Sequence, residues 1–188
     1  MREKRIAIFV DGSNFTAALR AAGYKMDYDT LLKSYREQGE VISACYFTAL
    51  PPKAVFSPVR SLTDRLSYNG WTIVSKETKE LLTDGGLFVT KGNMDVEMAV
   101  KAMLLLPRLT DFVLCSGDGD FLSVIKAMQD RGVYVTVIST QGGGVNLVAD
   151  ELRREANAFI NLRFGHIRSK FELKPDKLVL PKRRMTEF

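Results

Sequence analysis

Acidic side chains stand directly after two strand-like segments of the sequence. The first of these segments runs into Asp11, and a later one is followed at once by a turn that carries Asp118 and Asp120. A further acid, Asp95, opens a segment with helical periodicity. Ligands of open α/β sheets bind beyond the carboxyl ends of the strands. We therefore expect these four carboxylates to meet at one edge of a sheet.

Each of these acids has a structural explanation as well as a chemical one. Asp11 could accept hydrogen bonds in an Asx turn, and Asp118 or Asp120 could cap the following helix. Asp95 could complement a helix dipole, with Asn93 as the cap. Convergence weakens these explanations, because carboxylates that meet repel one another unless a cation compensates. Oxygen ligands without a neighbouring His or Cys favour Mg²⁺ or Mn²⁺ over zinc, so the sequence predicts a divalent-metal carboxylate site.

The elements that must position these acids alternate between strands and helices. Nearly continuous apolar, β-branched or aromatic segments predict strands at 5–10, 41–47, 71–75, 112–115 and 133–139. Helical periodicity predicts helices at 15–22, 28–38, 57–68, 94–106, 121–131 and 145–157. Such alternation is typical of an α/β fold with three layers, in which helices cover both faces of a mainly parallel sheet. A short final strand at 158–162 is expected at an edge, and 77–91 is expected to form an excursion or hairpin.

The net charge is concentrated near the C-terminus. The 188-residue chain carries 27 Lys and Arg against 22 Asp and Glu, a formal net charge of +5. Residues 163–188 alone hold eight basic and three acidic side chains, so residues 1–162 are formally neutral. We therefore expect one domain over 1–162 and a basic C-terminal tail over 163–188. A tail of this kind either contacts nucleic-acid phosphates without sequence specificity or simply remains solvated.

Apolar segments and cysteines narrow the class of protein. No segment is apolar over a length that would span a bilayer, and the apolar start of the chain reaches Asp11 too soon for a signal peptide. Cys45 and Cys115 lie inside strand-like segments, which favours buried thiols over a disulfide or a zinc site. The sequence therefore predicts a soluble, cytoplasmic protein with no membrane partner. It leaves the oligomeric state open, a homo-oligomer included.

Three segments together resemble a known family. FVDGSN at 9–14, KGNMDV at 91–96 and CSGDGDF at 115–121 are similar to the motifs of the NYN domain in its LabA-like branch, and the ordered set spans about residues 5–162. The resemblance implies a PIN-like fold related to metal-dependent ribonucleases. The matched residues, which it implies are catalytic, are Asp11, Asn14, Asp95, Asp118 and Asp120.

The activity implied by the resemblance is phosphodiester hydrolysis of RNA, which would make the protein a metal-dependent endoribonuclease. One or two ions of Mg²⁺ or Mn²⁺ would bind the scissile phosphate and activate a water molecule. Asn14 would orient a ligand or the phosphate through its amide. The implied metal ligands are Asp11, Asp95, Asp118 and Asp120.

Three further side chains beside these motifs are expected to bind substrate: Ser13, Lys91 and Ser116. Lys91 is a cation next to the acidic segment, and it would contact a substrate phosphate unless it is only a solvated surface lysine. Ser116 could also hydrogen-bond one of the acids and so fix the orientation of that carboxylate.

The sequence departs from the family pattern at two positions. Many relatives carry an acid about two turns into the helix that follows Asp95, where this chain has Lys101, and an Ala-Asp pair before the last strand, where it has Asn157. Glu97 or Asp150 would be the acids to compensate. The alternative function is therefore a catalytically silent RNA-binding or regulatory protein that keeps the acidic pocket.

A less favoured alternative is an aspartyl-phosphate phosphatase. That class needs a nucleophilic Asp at a strand end and usually a second acid two residues later. Ser13 occupies this second position after Asp11, so the expected general acid is missing. The turn with Asp118 and Asp120 would otherwise fit the metal loop of such an enzyme.

Overall fold

The structure, a computed structural model, describes residues 3–21, 24–50, 57–82, 88–91, 93–141, 148–162 and 174–175. Side chains are described throughout these ranges except at 24, 79–82, 88–91 and 174–175. The basic tail predicted over 163–188 therefore lies outside the described residues, apart from 174–175. The boundary expected after residue 162 stays a prediction.

A six-stranded parallel sheet forms the centre of the molecule. The strands of the described chain are β1 (Arg5–Asp11), β2 (Tyr24–Lys25), β3 (Glu40–Leu50), β4 (Thr72–Glu77), β5 (Lys79–Leu82), β6 (Phe88–Lys91), β7 (Asp111–Cys115), β8 (Tyr134–Ser139), β9 (Ala158–Asn161) and β10 (Lys174–Pro175). Six of them lie side by side in the order β4-β3-β1-β7-β8-β9, and all their pairings are parallel. The mainly parallel α/β sheet predicted from the sequence is confirmed.

Helices cover both faces of this sheet. They are α1 (Gly12–Ala21), α2 (Tyr28–Arg36), α3 (Pro58–Tyr68), α4 (Asp95–Leu105), α5 (Leu122–Gln129) and α6 (Asp150–Glu155), with short 3-10 helices at Leu106–Arg108 and Gly119–Phe121. One face packs against α1, α2 and α3, and the other packs against α4, α5 and α6. This is the three-layer arrangement of a PIN-like fold.

The alternation of strand side chains divides the core into two halves. Along β1, Ile6, Ile8 and Val10 pack on the α1–α3 side, whereas Ala7 and Phe9 pack on the α4–α6 side. All five are at most 1% exposed, because a central strand of a doubly covered sheet has no solvent face. Burial of apolar area stabilises by about 25 cal/mol per Å². The two core halves thus fix the strand ends that carry the acids.

Local sequence signals set where several helices begin and end. Asp27 caps α2, since its side chain accepts from the amides of Asp29 and Thr30, both at 3.1 Å. Gly70 and Gly132 follow α3 and α5 with φ values of 91° and 75°, a conformation that favours glycine. These helix ends return the chain to the sheet at β4 and β8.

Smaller predictions about the elements meet the structure with mixed results. The strand expected at 158–162 is β9, which lies at an edge of the sheet beside β8, and the hairpin expected within 77–91 is the antiparallel pair β5–β6. Both expectations are confirmed. The final helix was expected over 145–157, but α6 covers only Asp150–Glu155, and residues 142–147 lie outside the described part. The first helix was expected from residue 15, whereas α1 begins at Gly12, because Asp11 accepts the amide N–H of Asn14 and caps the helix early.

The carboxyl ends of β1 and β7 form the topological switch point of the sheet. β1 pairs with β3 on one side and with β7 on the other. The chain continues from β1 through β3 to β4 in one direction, and from β7 through β8 to β9 in the other. Ligands of open α/β sheets bind in the crevice outside such strand ends. Asp11 ends β1, and the turn with Asp118 and Asp120 follows β7, so these predicted acids lie at the switch point.

The cysteines and the lengths of the helices can also be compared with the sequence analysis. Cys45 and Cys115 are free, buried thiols, as predicted. Within the described ranges, the helices are too short and too polar for any of them to cross a membrane.

Candidate metal centre

Asp11 is the last residue of β1 and is almost completely buried. It is 5% exposed, and its carboxylate accepts three hydrogen bonds. The donors are the hydroxyl of Ser13 at 3.0 Å, the amide of Asn14 at 3.2 Å and the hydroxyl of Ser116 at 3.1 Å. Because a carboxylate offers about four acceptor positions, these three donors fix the orientation of Asp11.

Asn14 and Ser116 join the loops that follow β1 and β7. Oδ1 of Asn14 accepts the amide N–H of Gly117 at 2.9 Å. Besides donating to Asp11, the buried hydroxyl of Ser116 accepts the amide N–H of Asp118 at 3.2 Å. The contact with an acid predicted for Ser116 is therefore present. These bonds set the spacing between the two acid-bearing loops.

The turn that carries Asp118 and Asp120 opens a short 3-10 helix. Oδ1 of Asp118 accepts the amide N–H of Asp120 at 3.0 Å, which is the capping role considered for it. Asp118 is half-buried and Asp120 is exposed. The cap uses only part of the acceptor capacity of the Asp118 carboxylate, so the rest stays available to a ligand.

Asp95 is the first residue of α4. The side chain of Asn93 accepts the amide N–H of Asp95 at 2.8 Å, and this contact supports the first turn of the helix. The carboxylate of Asp95 is half-buried. A helix N-terminus favours an anion, so the position of Asp95 is locally stable even though other acids lie beside it.

Three carboxylates form what we call the acid cluster: Asp95, Asp118 and Asp120. One oxygen of each lies within 4.8 Å of the corresponding oxygens of the other two. Oxygens at this spacing are close enough to share one divalent cation, and a set of carboxylates without His or Cys suits Mg²⁺ or Mn²⁺. The residues present therefore fit the predicted metal site.

Asp11 lies beside the acid cluster without belonging to it. Burial raises the pKa of Asp95 above its ordinary value, and a hydrogen bond with Asn93 lowers it. The negative charges of Asp118, Asp11 and Asp120 raise the pKa further. The three neighbouring carboxylates thus oppose the ionisation of Asp95, and a bound cation would compensate for this. The structure brings all four predicted acids to one place but separates Asp11, which is held by its three donors, from the other three.

The two acids expected to compensate for family differences are already paired with cations. Glu97 forms an ion pair with Lys76 at 2.5 Å, and this hydrogen bond lowers the pKa of Glu97. Asp150 forms ion pairs with Arg153 at 2.8 Å and Arg154 at 2.6 Å, and the hydrogen bond from Arg153 lowers its pKa most. Neither belongs to the acid cluster.

Lys101 stands on α4 at a distance from the acid cluster. It is six residues after Asp95, which corresponds to about 9 Å along a helix. Burial raises the pKa of the Cys45 thiol in the α4–α6 half of the core, and Lys101 lies close enough to lower it. This position beside Cys45 places Lys101 between α4 and β3.

Asn157 lies before β9, at the opposite edge of the sheet from the acids. Its Oδ1 accepts the amide N–H of Val135 at 2.8 Å and a side-chain N–H of Gln129 at 3.2 Å. An Asp at this position would offer the same acceptor. This departure from the family pattern therefore concerns strand packing and leaves the acid cluster unchanged.

We expect Asn157→Ala to lower the free energy of unfolding by about 1–3 kcal/mol, because the amide of Val135 loses its acceptor. Asn157→Asp should unfold close to the wild type, since it keeps that acceptor. Urea unfolding followed by circular dichroism measures both. If Asn157→Asp changed an activity of the acid cluster while stability stayed the same, the separation of this residue from the site would be wrong.

One acid beside the site, Glu151, was not identified from the sequence. It lies in α6, whose start packs on the loop after β7 through a bond from the amide of Ala149 to the carbonyl of Gly117 at 2.8 Å. A Cβ placed on Gly119 would be 3.3 Å from Oε1 of Glu151. No local signal marks this residue, because the long-range packing of α6 brings it to the acid-bearing turn.

The three side chains predicted to bind substrate have different positions. The hydroxyls of Ser13 and Ser116 both donate to Asp11. Lys91 is the last residue of β6, and its side chain lies outside the described part of the structure. Its contact with a substrate phosphate stays a prediction.

Comparisons with known proteins give three findings. The sequence model of the NYN domain family matches residues 5–163. The chain is 30% identical over 165 residues to the low amplitude and bright protein LabA of Synechococcus elongatus, an alignment that covers 86% of this chain and 85% of that protein. Its fold is similar to the crystal structure of a protein of unknown function from Vibrio parahaemolyticus, with a TM-score of 0.70, 26% identity, and coverage of 85% of this chain and 93% of that one.

Proposed function

The chain belongs to the NYN domain family, in its LabA-like branch, and from this membership and its acid cluster we propose that it is a metal-dependent ribonuclease. The observation that carries the proposal is the convergence of Asp95, Asp118 and Asp120 within 4.8 Å at the switch point of a parallel sheet. Carboxylates so close together repel one another, and a bound cation would relieve that repulsion. A substrate phosphate, itself an anion, needs the same compensation.

The acid cluster would hold the ion, and the neighbouring residues would position it. When bound, Mg²⁺ or Mn²⁺ supplies a water of lowered pKa and stabilises the charge that develops on the leaving oxygen. Asp95, Asp118 and Asp120 are the proposed ligands. Asp11 orients the hydroxyl of Ser116, and through it the backbone of the loop after β7, while its charge adds to the attraction of the cation.

Asn14 is proposed to contact the substrate phosphate. Its Oδ1 is occupied by the amide of Gly117. No described residue accepts from its Nδ2 amino group, so the amide is held by one end and offers two N–H donors at the other. Such donors suit a phosphate oxygen, which is the role that the family resemblance implies for this residue.

The two family departures do not support a silent protein. Asn157 lies at the opposite edge of the sheet, and Lys101 lies beside Cys45, away from the carboxylates. A phosphatase that uses Asp11 as its nucleophile is also less well supported. A nucleophilic Asp11 would attack through one of its own carboxylate oxygens. Asp11 is nearly buried, which limits the access of a substrate, and its three hydrogen bonds make the carboxylate less nucleophilic.

Cleavage of a fluorogenic single-stranded RNA tests the proposed function. We expect cleavage in Mn²⁺ or Mg²⁺ and none in EDTA, with activity restored when the metal is added back. p-Nitrophenyl phosphate should remain intact, whereas a phosphatase would hydrolyse it. In parallel, Mn²⁺ should raise the melting temperature, because a ligand that binds only the folded state stabilises it by about 2.7 kcal/mol at 100 times its Kd.

Two outcomes would contradict the proposal. A chain that binds Mn²⁺, as judged by melting temperature, but leaves RNA intact under all metal conditions would be a binding protein. Cleavage that persists at full rate in EDTA would point to a contaminating nuclease or to a mechanism without the acid cluster. Asp130→Asn, an exposed acid at the end of α5, serves as the matched control and should behave as the wild type.

A further inference from the structure

A cavity lies near the carboxyl end of β1, beside the start of α1. It has a volume of about 460 Å³ and lies between α1, the end of β3 and α3. Gly12 and Ser13 are among its lining residues, and Ser13 donates to Asp11. The cavity therefore reaches the start of α1, directly after Asp11 at the end of β1. We call it the α1–α3 cavity.

Apolar and aromatic side chains form most of the wall of the α1–α3 cavity. Tyr28 and Tyr46 line it, and their rings meet edge to face with centroids 5.4 Å apart. Burial raises the pKa of both tyrosines, and their hydroxyls and that of Thr16 lie close enough to influence one another. An apolar pocket with a few fixed polar groups, and with a volume of about 300–1,000 Å³, is typical of sites for small organic groups. One nucleobase with its ribose fits such a space, whereas a nucleic-acid duplex does not.

The charged residues that line the α1–α3 cavity are all basic. Arg20, Lys25 and Arg65 line it, and none of its described lining residues is acidic. Arg65 lies 4.0 Å from Asp29, so its charge is partly balanced, while the charge of Arg20 acts on the hydroxyl of Tyr46 inside the cavity. Residues 1–162 are formally neutral, so these basic lining residues do not simply reflect a net positive charge of this part of the chain. It favours an anionic ligand over a neutral apolar one.

We propose that the α1–α3 cavity binds one nucleotide of single-stranded RNA beside the scissile phosphate. The base lies against the apolar wall, and a neighbouring phosphate contacts Arg20 and Arg65. Sequence-tolerant stacking with flanking cations is how proteins hold single strands, whose bases are free to leave a stack. This inference rests on the proposed ribonuclease function and adds to it the site that selects single-stranded over double-stranded substrate.

The test fills the α1–α3 cavity without touching the acid cluster. Ala17 is an exposed residue of α1 that lines the cavity, so Ala17→Trp occupies it from the solvent side. Binding of a short fluorescein-labelled single-stranded RNA is measured by anisotropy in EDTA, where the RNA is not cleaved. We expect Ala17→Trp to raise the Kd about tenfold, in the range of one lost base contact. Val100→Trp, at an exposed position of α4, should bind as the wild type.

A second variant tests the charges. Arg20→Ala combined with Arg65→Ala should weaken RNA binding and reduce its salt dependence, because two phosphate contacts are lost. Arg108→Ala combined with Arg131→Ala removes two exposed cations elsewhere on the molecule and should leave the Kd and the salt dependence unchanged. The Mn²⁺-induced rise in melting temperature should be the same in all these proteins, since none alters the acid cluster.

The outcomes separate the cavity from the proposed function. If the wild type cleaves RNA and both cavity variants bind it as tightly as their controls, the ribonuclease stands and the nucleotide cavity is wrong. If AMP and UMP bind to the wild type but not to Ala17→Trp, while RNA binding is unchanged, the cavity takes free nucleotides and the RNA assignment is wrong. If RNA binding depends on the cavity as expected but no metal condition produces cleavage, the proposed enzymatic function fails.

Discussion

Asp118→Asn is expected to reduce metal-dependent RNA cleavage about 100-fold or more while leaving the fold intact. The substitution removes one of three carboxylate charges that would hold the cation, and loss of a single preorganised electrostatic contact in an active site typically costs about 10²–10³ in kcat. Asn keeps a side-chain oxygen, so it can still accept the amide N–H of Asp120 that Asp118 accepts at 3.0 Å. The expected loss is therefore electrostatic.

The stability of Asp118→Asn in EDTA gives an independent measurement. Without a cation, the charge of Asp118 raises the pKa of Asp95, which shows that the two carboxylates repel each other. Removing one charge should leave the melting temperature in EDTA unchanged or higher than that of the wild type. Added Mn²⁺ should then raise it less than in the wild type, because a ligand of the ion has been lost.

Two results would contradict this account of Asp118. Undiminished cleavage by Asp118→Asn would remove it from the site, and the remaining acids would need another arrangement. A large drop in the EDTA melting temperature would show that its cap of the 3-10 helix, rather than metal binding, explains its presence. Asp130→Asn, with the same chemical change outside the site, controls for a general effect of charge on RNA binding.

The edge of the sheet where the site lies was predictable from the sequence, but the separation within the site was not. Strand and helix alternation predicts a parallel sheet, and the rule for ligand position in such sheets places Asp11 and Asp118 together. The hydroxyls that hold Asp11 come from Ser13 and from Ser116, which is 105 positions after Asp11. Only the packed fold brings the second of these donors to Asp11, so only the structure separates it from the acid cluster.

Structural and chemical roles were weighed as alternatives in the sequence, yet several residues have both kinds of contact. Asp118 caps a 3-10 helix and belongs to the acid cluster. Asn93 accepts the first amide of α4 and thereby supports Asp95. A carboxylate or amide has several acceptor positions, and one capping bond occupies a single one of them. A capping hydrogen bond thus holds a side chain such as that of Asp118 in one orientation and leaves acceptor positions free for an ion.

One departure from the family pattern, at Asn157, has less bearing on the acid cluster than the sequence suggested. The family resemblance led us to expect an acid at position 157, but Asn157 stands there, and its Oδ1 accepts a backbone amide of β8 at the far edge of the sheet. The distance between that edge and the acids follows from the length of the strands. Without the three-dimensional structure, the sequence cannot distinguish acids that bind a ligand from acids that accept a hydrogen bond from a strand amide.

Gly12→Ala is expected to be the most destabilising single-methyl change at this site. Its Cβ would lie 2.7 Å from the carbonyl oxygen of Phe47 and 2.7 Å from Cε1 of Tyr46. The first contact is with the backbone of β3 and the second with a buried ring, so neither moves easily. Overpacking of this kind costs about 1–3 kcal/mol, and we expect the upper end of that range in urea unfolding. Gly12 is required by the close approach of α1 to β3, which sets the position of Asp11.

Gly132→Ala provides the comparison that identifies this cause. Gly132 has a φ of 75° and no atom within 4 Å of a built Cβ, so its substitution tests backbone conformation alone and should cost about 1–2 kcal/mol. If Gly12→Ala cost less than Gly132→Ala, the close packing of α1 on β3 would be wrong. Folded Gly12→Ala should also cleave RNA more slowly, whereas Gly132→Ala should not. A shift of α1 lengthens the 2.9 Å bond from Gly117 to Asn14 and so loosens the loop that carries the acids.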